Sequence, residues 1–155
     1  MKRLSLAWVM FPALCWAMPQ PTGWVVDEAK IVDATREATL TARAERLAQG
    51  EGPEIAVVTI TSLQGDTIEH YAIKVAEAWK VGKRTTDNGV IFLVAHQDRQ
   101  MRIEVGRGAE AELTDAEAKR ILERDVKPLF KTGKFSEGCI AAFDAIEKEL
   151  THGRP

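Results

Sequence analysis

Apolar and polar positions follow two different rhythms along this chain, and the boundary between them falls around a β pair. Val90-Ile91-Phe92-Leu93-Val94-Ala95 is apolar throughout and rich in β-branched residues, the mark of a strand covered on both faces. Met101-Arg102-Ile103-Glu104-Val105 alternates, which predicts a strand with one wetter face. Only His96-Gln97-Asp98-Arg99 lies between the two runs, so they form an antiparallel hairpin. Such pairing puts the start of the first strand beside the end of the second. Asp87 and Asn88, in the turn Thr86-Asp87-Asn88-Gly89, are therefore expected to converge with Glu110, which follows Gly106-Arg107-Gly108.

The rest of the chain is mostly helical in its spacing. Asp33 is expected to cap a helix running to about Gln49, with Leu40, Ala44 and Leu47 on one face. Gly50-Glu51-Gly52-Pro53 stops it, and Glu54 to Ile60 follows as a strand. Asp66, with Glu69 three residues on, is expected to cap a second helix whose apolar face is Ile68, Tyr71, Ala72, Val75 and Trp79. Gly82 ends that helix. Thr114 and Glu117 form a capping box for a third helix bearing Ile121, Leu122 and Val126, interrupted at Pro128. Ser136 is expected to cap the last helix, with Phe135 and Ile140 stapling its start. Gly23 to Asp27 is a short extended piece. Strands and helices in this order predict an α/β fold: a three-layer α/β/α sandwich around a small mixed sheet. The crossover from Glu54 to Ala95 should be parallel and right-handed.

The two ends depart from this pattern. Lys2 and Arg3 precede an apolar run from Leu4 to Cys15, and Cys15-Trp16-Ala17 carries small residues where a signal peptidase needs them. Residues 1–17 are thus expected to be a secretory signal peptide, which implies a periplasmic or secreted protein. Residues 18–22 are expected to be a mobile lead-in, 23–150 the domain, and 151–155 a frayed tail. No second long apolar run occurs, so the processed chain is not expected to span a membrane.

The length of 155 residues suits one domain, and a formal net charge of −2 leaves nucleic acid without an electrostatic footprint. Cleavage after Ala17 would leave Cys139 as the single cysteine, on a helical face with Phe143 and Ile146, so no internal disulfide is expected and the thiol should be buried. His70, His96 and His152 have no zinc-ligand spacing. Gly82-Lys83-Arg84-Thr85 follows a helix and lacks the upstream glycine of a phosphate loop. Gly106-Arg107-Gly108 lacks the third glycine of a dinucleotide site and is read as a tight strand-to-helix turn. No nucleophile elbow is present. What remains is the oxygen-rich set Asp87, Asn88 and Glu110, with Asp27 a less secure neighbour. Hard oxygen ligands of this kind suit Ca²⁺ or Mg²⁺. The plainer alternative is that Asp87 and Asn88 only build a turn and Glu110 is a solvated acid.

Five blocks of sequence resemble the TPM domain family. They are Val26-Asp27-Glu28-Ala29, Ile55-Ala56-Val57-Val58-Thr59, Trp79-Lys80-Val81-Gly82, Asp87-Asn88-Gly89-Val90-Ile91, and the run from Arg102 to Glu110. That family includes a thylakoid-lumen protein of photosystem II repair and many bacterial envelope proteins. The resemblance, over about residues 23–150, implies an α/β/α sandwich and divalent-cation binding, usually calcium, by loops at one sheet edge. Carried over by motif position, it makes Asp27, Asp87, Asn88 and Glu110 the candidate metal ligands. Acid phosphatase activity has been attributed to plant members, and on that reading Asp87 is the best candidate for a catalytic group. Two departures stand out. Ala109 occupies a place where a larger apolar residue is common, and no counterpart of the C-terminal membrane helix of many bacterial members is expected.

Two functions follow as expectations. One is a non-catalytic envelope interaction or maintenance module, ordered by a cation and contacting a protein partner in the envelope. The other is a metal-assisted acid phosphatase acting on phosphomonoesters. The lack of a visible nucleophile favours the first.

Overall fold

A computed structural model describes residues 18–152. The signal-peptide expectation and the last three residues lie outside that range. Four strands form one mixed sheet in the order β1 (Val25–Asp27), β2 (Glu54–Ile60), β3 (Gly89–Ala95) and β4 (Gln100–Val105). β1, β2 and β3 run parallel, and β4 is antiparallel to β3. Every residue of β3 is buried, and all of β2 except Glu54 is too. Helices cover both faces of these strands, so a polar side chain on either would have no water to meet.

The register sorts the apolar residues into two layers. Ile55, Val57, Val90, Phe92 and Ile103 point to α1 (Ala34–Ala48), α3 (Asp115–Ile121) and α5 (Phe135–His152). Ala56, Val58, Ile91 and Leu93 point to α2 (Ile68–Trp79) on the other side. The three-layer sandwich is therefore present, with α2 alone on one face. The chain steps in one direction across the sheet from β1 to β3, yet α1 and α2 lie on opposite faces. The two crossovers must then have opposite hands, so one is of the rare left-handed kind.

Several ends differ from the sequence expectation, each for a local reason. Thr67, not Asp66, caps α2 and accepts from His70 N at 3.3 Å. Asp66 instead takes the His70 ring at 2.7 Å and Lys74 at 3.2 Å. Lys80, in the left-handed region at φ 53°, caps the end of α2 ahead of Gly82. Ser136 lies inside α5 and caps nothing there. Its hydroxyl accepts from Asp33 N at 2.9 Å and donates to Ile31 O at 3.3 Å, tying α5 to the loop after β1. Pro128 does not break its helix outright. A π turn, Leu122–Val126, joins α3 to α4 (Lys127–Lys131) and absorbs the disturbance just before it. At residues 18–22, Trp79 Nε1 donates to Pro19 O at 2.8 Å, and Met18 packs on the α2 layer. The last helix persists through His152.

Cys139 is fully buried in the larger layer, and burial pushes its thiol up to about 12. At pH 8 it should therefore react with a disulfide reagent roughly a thousandfold more slowly than an exposed thiol, because the thiolate is the nucleophile. Release of thionitrobenzoate from the native protein, set against the same protein in denaturant, measures this directly.

Candidate functional site

The start of β3 and the end of β4 meet as their antiparallel pairing requires. Gly106 N donates to Gly89 O at 2.7 Å, and Gly108 N to Asp87 O at 3.0 Å. Arg107 N donates to the Asp87 carboxylate at 3.3 Å. A 3₁₀ turn, Arg107–Ala109, then carries the chain to Glu110. Asp87 thus faces the loop that holds Glu110. Its backbone lies in the left-handed region at φ 48°, a costly place for a residue with a Cβ but one that Asp tolerates better than most.

The turn is built from below by Lys83 and Asn88. Lys83 N donates to Asn88 Oδ1 at 3.2 Å, and Asn88 Nδ2 donates to Gly52 O at 3.1 Å. Asn88 is only 5% exposed. The Lys83 ammonium reaches the carbonyl of Ala48, the last residue of α1, and those of Gly50 and Gly52 just beyond it, a favourable place for a cation. The Asn88 side chain is therefore committed to the turn, and Lys83 to a helix end.

A cleft of about 460 Å³ opens beside Asp87, between the C-terminal half of α2 and β4. Glu77 and Glu104 line it with Asp87, and so do Lys80 and Arg84. Sequence reasoning passed over Glu77, Lys80 and Glu104. The helical spacing places Glu77 and Lys80 near the end of α2, and the alternation of β4 places Glu104 on the α2 side. The signals existed but needed the packing of α2 on β4 to join them.

Asp27 does not belong to this place. β1 pairs with β2 so that Asp27 lies opposite Thr59, and Thr59 lies opposite Val94. Val94 is six positions beyond Asn88 along β3, roughly 20 Å at the rise of a strand. Asp27 is therefore at the other end of the sheet from Asp87 and Glu110. Its carboxylate accepts from Ile31 N at 3.1 Å, Val32 N at 2.9 Å and the Thr59 hydroxyl. These bonds fold the loop between β1 and α1, and the four carried-over residues do not form one site. Among the described residues, no three His, Cys, Asp or Glu side chains are grouped so as to hold a metal ion.

The TPM domain profile matches residues 25–149, almost everything from β1 to the end of α5. The chain belongs to the TPM domain family. Solved structures agree on the fold. The N-terminal domain of a P. gingivalis protein superposes with a TM-score of 0.77 at 29% identity, over 84% of this chain and 83% of that one. BA42 from the psychrophilic bacterium Bizionia argentinensis gives 0.67 at 19% identity, over 80% and 84% of the two chains. The N-terminal domain of cg2496 from Corynebacterium glutamicum gives 0.65 at 18%, over 92% and 89%. No curated protein matches the chain. Among the described residues of this TPM domain, no helix is long and apolar enough to cross a membrane.

Proposed function

We propose that this TPM domain binds a divalent cation, calcium foremost, where the Asp87 turn meets the 106–110 loop, and that it works outside the cytoplasm as a non-catalytic interaction module. The observation that carries the reading is the Asp87 carboxylate, fixed on a left-handed backbone with two loops closing on it. Glu110, from the facing loop, is the second carboxylate. The Thr86 carbonyl oxygen is packed against Gly108, where a Cβ would come within 1.5 Å of it, so the remaining oxygens of the shell come from elsewhere on the two loops and from water. A site with so few carboxylates leaves much of the shell to carbonyls and water, which suits a hard cation held weakly rather than zinc. The extracytoplasmic setting rests on the signal-like pattern of residues 1–17.

A phosphatase reading has one observation in its favour: Lys80 and Arg84 line the cleft beside Asp87 and could meet a phosphate. One experiment separates the two. Calorimetric titration of the purified protein with calcium should show saturable binding, weakened at least tenfold in Asp87→Asn, which keeps the side-chain shape and removes the charge. p-Nitrophenyl phosphate should not be turned over, with or without the metal. Unchanged calcium affinity in Asp87→Asn would sink the assignment, and turnover lost in that variant would establish the enzyme instead.

A further inference from the structure

The two edges of the sheet are not alike. β1 is three residues long, a common way to blunt an edge. β4 is six residues long and has no strand beyond it. Its hydrogen-bond parity can be worked out from both sides of β3. Asn88 and His96 bond across to β2, so the even residues of β3 face β2 and the odd ones face β4. The bond from Gly106 to Gly89 agrees. Gln100, Arg102 and Glu104 therefore pair with β3, and the backbone N–H and C=O of Met101, Ile103 and Val105 point to the open side. None of these six groups has a hydrogen-bond partner among the described residues.

Charged side chains on an edge strand usually discourage further pairing. Here Arg102 Nε and Glu104 Oε2 lie 2.7 Å apart and neutralise each other. A groove of about 1300 Å³ runs beside Arg99 to Ile103, walled by the start of α2 on one face and by α3 to α4 on the other. Met101, Leu122 and Phe130 give it an apolar lining. Arg99, Lys119 and Lys131 stand on it with no ion-pair partner among the described residues. With the Arg102–Glu104 and Lys127–Glu123 pairs set aside, three lining cations, Arg99, Lys119 and Lys131, stand against two lining acids, Glu69 and Asp115, in a chain whose net charge is −2. Both helical layers already lean on β4, so the slot admits a bare strand and hinders a second sheet carrying its own helices.

We infer that the open edge of β4 receives an extended acidic segment of a partner protein as a fifth strand. The outward groups of Met101, Ile103 and Val105 supply the main-chain bonds, and Lys119 and Lys131 select for acidic side chains. The site is separate from the Asp87 carboxylate, so the inference does not rest on cation binding.

The test uses isotope-labelled protein and an end-blocked seven-residue peptide of alternating Glu and Val. Amide exchange at Met101, Ile103 and Val105 should slow at least tenfold on saturation. The matching Lys and Val peptide should not bind. Lys119→Glu with Lys131→Glu should weaken the acidic peptide at least tenfold. Met101→Pro removes an outward N–H and should abolish binding, whereas Met101→Ala, which equally loses the side chain packed on the core but keeps that N–H, should still bind. Equal binding of both peptides, or protection elsewhere on the surface, would overturn the inference. So would protection of the same amides that grows with protein concentration without peptide, which would mean that the edge pairs with a second copy.

Discussion

Replacing Asp27 by Ala is expected to cost this protein about 3 kcal/mol of stability and to leave its calcium affinity alone. The carboxylate accepts two backbone N–H groups, from Ile31 and Val32, and the Thr59 hydroxyl. Thr59 is fully buried at the end of β2, and its oxygen also accepts from Ala29 N at 3.2 Å. Removing the carboxylate leaves these donors to find water in a half-buried loop. Val32 belongs to the core beneath, so its position would loosen as well. A loss of that size should lower the melting temperature by roughly 10 °C. Asp27→Asn keeps one acceptor and should lose about half as much. Melting and calcium titration of both variants check the claim. A variant that melts like the parent but no longer binds calcium would return Asp27 to the metal site and remove the structural role argued above.

That expectation runs against the motif-based assignment, and the reason is topological. The hairpin logic that joined Asp87 to Glu110 needed only two adjacent runs and a short turn, both visible in the sequence. Asp27 sits on a strand whose partner and direction are not visible in the sequence. β1 has three residues and no alternation long enough to read. Once β1 pairs parallel to β2, its C-terminal end must lie away from the start of β3. A shared motif fixed the residue type at Asp27, and the parallel register fixed its role. The core was more legible. Strand β2 matches its expected bounds, because a largely apolar, β-branched run between Pro53 and a polar loop leaves little choice. Helix caps were less so. Asp66 and Thr67 are adjacent and both can cap, and the pull of His70 and Lys74 on Asp66 decided between them. The role of Ser136 was illegible, since its partners lie more than a hundred positions away.

Gly108→Ala should be the most disruptive single methyl that can be added near the Asp87 turn. A Cβ at Gly108 would fall 1.5 Å from the Thr86 carbonyl oxygen, 2.7 Å from its carbon and 3.1 Å from the Asp87 carbonyl carbon. All three are backbone atoms, so no rotamer change relieves the overlap, and the two loops must move apart. Separation breaks the bond from Gly108 N to Asp87 O and the one from Arg107 N to the Asp87 carboxylate. The expected cost is about 3 kcal/mol, at the upper end for an overpacked site. Calcium affinity, read at a temperature where the variant is still folded, should fall at least tenfold. The 106–110 loop, which carries Glu110, would then no longer be held against the Asp87 turn. Gly23→Ala is the matched control, since its Cβ meets nothing within 4 Å, and it should be neutral within about 0.5 kcal/mol. The two readouts distinguish a site made by both loops from one made by the Asp87 turn alone. If Gly108→Ala lowers stability yet binds calcium as the parent does, the facing loop contributes no ligand, and the cation is held by the 83–88 turn without Glu110.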